Sequence, residues 1–277
     1  MNTFRKTIHY CWFGKNPLPE KAIKCINSWK KYCPGYEIVE WNETNFDVNT
    51  CSYIKEAYDA KRWAFVSDYA RFWILYKYGG LYFDTDVELI KPIDDLISVG
   101  PFMGAEPYDK GTCRIAAGLG LYAEPGDKIY QEVIEHYQGL HFRIAEGIYN
   151  DETIVTYITN IAKKHGYKGD GSLEKIGDIT IYPPDFFCPM DMNTGELTIT
   201  ENTRSIHWYT ASWKDNVEIA IHEKAVEIYT KHPGMYGKSL SSAYENTTKI
   251  MYYLKKEGLS SVIKRIMRKL NKKWGGD

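Results

Sequence analysis

The stretch Tyr78-Gly79-Gly80-Leu81-Tyr82-Phe83-Asp84-Thr85-Asp86-Val87 decides how the chain is read. A glycine pair stops a helical run, and an apolar segment follows that carries two carboxylates one residue apart. Strand side chains alternate between faces. The pattern therefore predicts Tyr82, Asp84 and Asp86 on one side of a strand and Leu81, Phe83, Thr85 and Val87 on the other. Two like charges beside buried apolar residues repel and resist desolvation. A divalent cation relieves both costs, and hard oxygen ligands suit magnesium or manganese. A bare D-x-D also fits a turn with solvated aspartates. The apolar strand behind the pair and the segment ahead of it favour a metal site.

That preceding segment, Ile54 to Tyr78, is predicted to be mostly helical. Ala64, Phe65, Tyr69, Phe72, Trp73, Leu75 and Tyr76 crowd its surface around Ser67 and Asp68. A helix apolar nearly all round is buried, so Asp68 and Arg71, three apart on one face, are expected inside and paired. Two readings stay open. The pair is either a mutual ion pair or a set of donors and acceptors presented to a hydroxylated ligand.

Towards the N-terminus, Thr7 to Gly14 reads as a strand and Glu20 to Tyr32 as a helix with the stripe Ala22, Ile23, Ile26 and Trp29. Tyr36 to Trp41 reads as a second strand. Strand, helix, strand predicts an α/β domain whose ligands sit at the carboxyl ends of strands, which puts Trp12 and Phe13 near a pocket. Ordinary core packing is the competing reading of Trp12. Beyond the acidic stretch, Pro101 to Ala105 is a short strand. Gly118 to Ala123 matches the dinucleotide fingerprint G-x-G-x-x-A, but Glu124-Pro125-Gly126 breaks the chain where a helix should run, and the match is rejected.

Asp127 to Gln138 is a helix. Asn150 to Thr153 caps another, striped by Ile154, Val155, Ile158, Ile161 and Ala162, with Asp151 and Glu152 as first-turn acids. Asp178 to Tyr182 is a strand ending at Pro183-Pro184. Ser205 to Trp213 holds a lone His207 in an aromatic cluster, open between a structural role and metal ligation. Val217 to Tyr229 is an amphipathic helix, and His222-Glu223 lacks the second histidine of a zinc-protease helix.

With 277 residues, one large domain with an appendage is expected: a catalytic domain over 1–240 and a helical extension over 241–277. The 23 tyrosines and 8 tryptophans suit stacking on sugars and bases. A net charge of −1 excludes a general nucleic-acid binder. The six cysteines form no C-x-x-C pair, and neither a signal-peptide pattern nor a bilayer-length apolar run is present, so reduced thiols and a cytoplasmic location are expected. The C-terminus departs from the even charge. After Ser260-Ser261, Val262, Ile263, Ile266, Met267, Leu270 and Trp274 fall on one helical sector, with Lys264, Arg265, Arg268, Lys269 and Lys272 opposite. Residues 260–274 fit either an anionic membrane surface or packing on the domain.

Four pieces in order resemble a known family: His9-Tyr10-Cys11-Trp12-Phe13-Gly14, Ser67-Asp68-Tyr69-Ala70-Arg71, Tyr78 to Asp86, and His207-Trp208 with Ser212-Trp213. Together they are similar to the DXD glycosyltransferases grouped with yeast initiating mannosyltransferases and bacterial capsular polysaccharide sugar transferases. The sugar-transferring domains of large clostridial toxins are more distantly similar. The resemblance implies a GT-A-type α/β fold, a mixed central sheet flanked by helices, with C-terminal helices added. It also implies Mn2+ or Mg2+ and a nucleotide-sugar donor (UDP-galactose or UDP-glucose foremost). Transfer would proceed with retention onto a glycan, lipid-linked in capsule or surface polysaccharide synthesis.

Carried over by residue, the resemblance has Trp12 stacking on the donor base, with Phe13 and Tyr82 beside the donor. Asp68 and Arg71 hold the sugar hydroxyls, Asp84 contacts ribose, sugar and metal, and Asp86 ligates the metal. His207 is a further metal or phosphate contact, and Ser212 and Trp213 touch the departing phosphate. Arg71, Asp84 and Asp86 are the implied catalytic set. Asp151 is the acceptor-side candidate, but relatives often carry Gly-Pro where this chain has Asn150 to Thr153, and that departure removes the motif's support for the role. Two rival classes are a magnesium phosphotransferase using an aspartate nucleophile, disfavoured by Glu88 after the pair, and a non-catalytic glycan-binding module.

Overall fold

The computed structural model describes residues 6–109, 111–146, 148–150, 152–210 and 216–274. In chain order the elements begin with β1 (Thr7–Cys11), α1 (Glu20–Tyr32), β2 (Glu37–Trp41), α2 (Ser52–Asp59), α3 (Trp63–Tyr78), β3 (Gly80–Tyr82) and β4 (Val87–Leu89). There follow α4 (Asp94–Val99), β5 (Phe102–Pro107), β6 (Cys113–Ile115), β7 (Leu121–Ala123), α5 (Lys128–Gln138), β8 (Arg143–Ala145), β9 (Ile148–Tyr149) and α6 (Ile154–Lys164). The chain ends with β10 (Glu174–Ile176), β11 (Ile179–Tyr182), α7 (Pro184–Phe187), β12 (Ser205–His207), α8 (Asn216–Lys231) and α9 (Met235–Trp274).

The central sheet runs β10-β11-β5-β7-β3-β1-β2, with β6 added to β5. β1 pairs in parallel with both β2 and β3, whereas β7 lies antiparallel to β3 and to β5, and β11 parallel to β5. It follows that β1, β2, β3, β5 and β11 all point the same way and share one carboxyl edge. This is the mixed α/β sheet the sequence predicts.

Alternation along the strands fills two cores. Ile8 and Tyr10 of β1, with Leu81 and Phe83, pack on α1 through Ile26 and Trp29, while Cys11 and Tyr82 face the layer built by α3, α5 and α6. The α1 stripe departs from expectation at Ile23, which is 46% exposed, because the helix turns Cys25 and Ser28 inward instead. Those inward positions hold β4: Ser28 Oγ accepts the Leu89 N–H at 2.9 Å and Trp29 Nε1 donates to the Val87 carbonyl at 2.7 Å.

The glycine pair works by conformation. Gly79 caps α3 at φ 63° and Gly80 follows at φ 95°. A Cβ at Gly80 would lie 2.9 Å from the Thr7 carbonyl oxygen, so only glycine lets β3 enter the sheet against β1. His9 closes the same corner. Its Nδ1 accepts from Trp41 Nε1 at 3.0 Å, which leaves Nε2–H to donate to the Gly79 carbonyl at 3.1 Å.

The chain divides into two compact units, one of residues 1–190 and 197–209 and one of 191–196 and 210–277. The second unit takes α8 as well as α9, where the sequence suggests a boundary near 240, because the two helices pack on each other. Within it Tyr253 donates to Glu218, and Glu245 binds both His222 at 3.2 Å and Lys249 at 2.6 Å. The helix of α9 breaks at Gly258 (φ 80°) and continues to Trp274. Among the described residues no helix is long and apolar enough to cross a membrane.

Candidate active site

The expected strand carrying both aspartates stops at Tyr82. Asp84 to Val87 is a turn, closed by the Val87 N–H donating to the Asp84 carbonyl at 3.0 Å. The cause is a change of partner: β3 leaves β1 after Tyr82, and β4 pairs antiparallel with β12 in a separate small sheet. The two carboxylates therefore do not share a strand face. They diverge, and each acquires its own partner.

Asp84 turns to Arg71. Its Oδ1 lies 3.2 Å from Nη2 and its Oδ2 accepts from Nη1 at 3.4 Å, while the Tyr82 hydroxyl donates to Oδ1 at 2.9 Å. Arg71 Nη2 also meets Asp68 Oδ1 at 3.1 Å, and Nε donates to the Ser67 carbonyl at 3.1 Å. The Asp68–Arg71 pair is the one the helical spacing predicts, and Asp84 joins it as a second carboxylate on the same guanidinium. Burial raises the Asp68 carboxyl to about 6 against the pull of Arg71. The neighbouring acids outweigh burial at Arg71 and hold it protonated. Asp68 Oδ2 also accepts the Ile154 N–H at 3.4 Å, so it caps α6, whereas the expected cap Thr153 makes no side-chain cap bond.

Asp86 turns to His207, 3.1 Å from Oδ1 to Nε2, on the strand that β4 pairs with. Burial opposes charge on His207, but the Asp86 carboxylate, with Asp84 and Glu106 adding to it, prevails and raises its pKa. The His207 ring lies tilted against Tyr209, centroids 4.1 Å apart, and the Tyr209 hydroxyl lies 2.9 Å from Cys188 Sγ; His207 Nδ1 is buried without a hydrogen-bond partner among the described residues. Trp208 locks this strand through its N–H to the Asp86 carbonyl at 2.9 Å and its indole N–H to Glu88 at 2.8 Å.

These residues fit a divalent ion in part. Adjacent ligands on one octahedral ion, each at about 2.1 Å, stand about 3 Å apart, which is the Asp86–His207 separation. No group of three acidic, histidine or cysteine side chains converges among the described residues, and Asp84 is held by Arg71 rather than beside Asp86. An ion here would take Asp86 and His207 from the protein and its other ligands from water and diphosphate.

Other expectations are corrected by burial. Phe13 is core, its ring edge-on to Phe46 at 5.8 Å, so it supports the loop after β1 rather than facing a donor. Tyr82 is likewise buried and reaches the site only through its bond to Asp84. Trp12 is half-buried, with its indole N–H donating to the Asn16 carbonyl at 2.7 Å. Asp151, Ser212 and Trp213 lie outside the described residues.

Gly118 is the functional position that sequence reasoning missed. Its carbonyl accepts the Asp84 N–H at 3.0 Å, and a Cβ there would lie 1.9 Å from Asp84 Oδ2. The glycine pattern was visible, but its only reading was the rejected dinucleotide fingerprint. Gly118→Ala is expected to push the Asp84 carboxylate off Arg71 and lower donor turnover by about 100-fold, the usual effect of misplacing a site group by about 1 Å. Gly120→Ala, whose Cβ would meet only the Phe83 and Phe187 rings at 3.2–3.3 Å, should act on melting temperature alone. Equal loss of turnover in both variants would remove the special role of Gly118.

The Asp68 carboxyl also sets a pH expectation. A carboxyl raised by folding contributes stability that is complete below its unfolded value near 3.8 and lost as pH rises through about 6. Asp68→Asn cannot titrate. The stability advantage of the native chain over this variant should therefore shrink between pH 4 and 7, by on the order of 2 kcal/mol. Melting temperatures of both proteins across that range check it, and a flat difference refutes it.

Residues 19–102 match the family described as the glycosyltransferase sugar-binding region containing a DXD motif. Over these residues the chain is similar to DXD glycosyltransferases. It is 32% identical over 114 residues to inositol phosphoceramide mannosyltransferase 1 of Schizosaccharomyces pombe, covering 37% of this chain and 34% of that protein. It is 20% identical over 295 aligned positions to the Subversion of eukaryotic traffic protein A of Legionella pneumophila, covering 92% of this chain and 44% of that one. A solved glycosyltransferase involved in glycosylation of the major capsid of PBCV-1 superposes with a TM-score of 0.45 and 15% identity, over 80% of this chain and 98% of that chain. The chain spans less than half the length of these curated relatives.

Proposed function

We propose that the chain is a metal-dependent, retaining glycosyltransferase that moves a hexose from a nucleotide-sugar donor to a hydroxyl of a glycan or lipid-linked glycan. The carrying observation is that Arg71, clamped between Asp68 and Asp84, belongs to the same motif as the Asp86–His207 pair. The first set offers donors and acceptors for sugar hydroxyls, and the second an anchor for an ion on the diphosphate. Galactose and glucose are the sugars implied by the resemblance, and mannose joins them because of the relative's name.

In this reading Arg71 donates to the hexose and Asp68 accepts from it, which fixes the anomeric carbon. Asp86 and His207 would hold Mn2+ or Mg2+, which would supply positive charge against the leaving diphosphate. The acceptor hydroxyl attacks the anomeric carbon from the side the diphosphate leaves, the carbon–oxygen bond to phosphate breaks, and the hydroxyl proton passes to the departing phosphate oxygen. A covalent route through Asp84 is disfavoured because its oxygens are taken by Arg71 and Tyr82, which also disfavours an aspartyl phosphotransferase.

The test is release of nucleoside diphosphate from UDP-glucose, UDP-galactose and a mannosyl nucleotide, with manganese, with magnesium and with chelator. Metal-dependent release supports the reading, and binding of sugars without release from any donor would make the chain a glycan-binding module. We further place the activity in the cytoplasm at the inner face of the membrane, through the basic segment 260–274. The full chain should sediment with anionic vesicles at low salt and a chain ending at Leu259 should not. Sedimentation of neither removes that placement and its support for a lipid-linked acceptor.

A further inference from the structure

We propose that the β5–β6 hairpin is the acceptor subsite, where Glu106 and Arg114 bind hydroxyls of a sugar or other polyol ring and Tyr108 supplies the platform beneath it. This rests on the transferase reading above and adds to it the residues that would choose the acceptor. Because β5 runs parallel to β1 and β3, its carboxyl end lies on the sheet edge from which Asp84 emerges. The hairpin is also continuous with the floor of the site. β6 ends at Ile115, the Ala116 N–H donates to the Gly104 carbonyl at 3.0 Å, and the next turn delivers Gly118 against Asp84.

The chemistry of the hairpin suits a polyhydroxylated ring. Glu106 and Arg114 are cross-strand partners in register, and Glu106 Oε1 accepts from both Arg114 Nε at 3.1 Å and Nη2 at 2.8 Å. One carboxylate oxygen takes both donors, and no hydrogen bond to Oε2 is found among the described residues. The Arg114 guanidinium lies 4.4 Å over the Tyr108 ring, covering one face of a tyrosine that is 65% exposed. A carboxylate accepting, a guanidinium donating and an aromatic plane beside them are the groups that pair with sugar hydroxyls and the apolar face of a pyranose. A cross-strand ion pair serving only the hairpin is the competing role.

Saturation-transfer NMR on the full chain separates the two, using methyl α-glucoside, methyl α-galactoside, methyl α-mannoside and myo-inositol as probes. The variants are Glu106→Gln and Tyr108→Ala, and nucleoside diphosphate affinity is titrated in parallel. The expected result is binding of at least one probe, with a loss in each variant exceeding any loss of nucleotide affinity by about 10-fold, the effect of one hydrogen bond to a charged group or one aromatic face. Binding of no probe, probe binding indifferent to both variants, or equal loss of probe and nucleotide affinity overturns the subsite. Probe binding that depends on Glu106 in a chain that never releases nucleotide from a donor would instead overturn the transferase reading and leave the hairpin a sugar-binding surface.

Discussion

Arg71→Ala is expected to destabilise the catalytic unit by about 3–5 kcal/mol, because it leaves the Asp68 and Asp84 carboxylates facing each other without the cation between them. At about 2–4 °C per kcal/mol for a chain of this size, the melting temperature should fall by roughly 10 °C. Arg71→Lys keeps the charge but cannot grip both carboxylates from one planar fork, so it should recover only part of the loss. Stability alone does not separate a structural triad from a sugar clamp. Asp68→Asn does, since a neutral group of the same shape is mild to the fold yet changes what the sugar meets. It should weaken binding of the intact nucleotide sugar while nearly preserving that of the free nucleoside diphosphate. If both affinities are untouched, the triad is structural.

What the sequence made legible was local. The Asp68–Arg71 pairing follows from i,i+3 spacing in a helix with no polar face, and the turn at Gly79-Gly80 from two residues that tolerate positive φ. The alternation that sends Leu81 and Phe83 to one face and Tyr82 to the other was legible from the strand period. The end of β3 was not. It depends on the Asp84 N–H turning to the Gly118 carbonyl and on β12, far along the chain, taking up the pairing at Val87. No period in the local sequence encodes that exchange, so Asp84 and Asp86 read as one strand face when each turns to its own partner.

Gly118 and Glu106 were hidden by the same physics. Each matters through a neighbour brought from another strand: Asp84 against the missing Cβ of Gly118, and Arg114 across the hairpin from Glu106. A glycine kept for close approach and a glycine kept for a turn look alike until the approaching group is known. His207 shows the converse. The aromatic cluster around it was visible, but whether it was core or ligand turned on the β12–β4 register that sets its ring 3.1 Å from Asp86.

Asp86→Asn is the variant expected to affect nucleotide binding most. It keeps the side-chain shape, and the backbone bond from Trp208 to the Asp86 carbonyl does not depend on the carboxylate, so melting should change little. What disappears is the charge that pairs with His207 and that a divalent ion would require. Removing a partner outside the first ligand shell typically costs 10–100-fold in metal affinity, so loss of an ionised ligand should cost about 100-fold or more. Nucleoside diphosphate affinity in manganese should fall to the value the native chain shows in chelator, and adding chelator to the variant should then change nothing. His207→Ala should fall in the same direction but less far, because Asp86 supplies the charge and the histidine only a neutral donor. Calorimetric titration in manganese and in chelator decides it. A variant that keeps the native metal dependence would remove Asp86 as a ligand, and the Asp86–His207 pair would stand as a hydrogen bond that fastens β12 to the turn after β3.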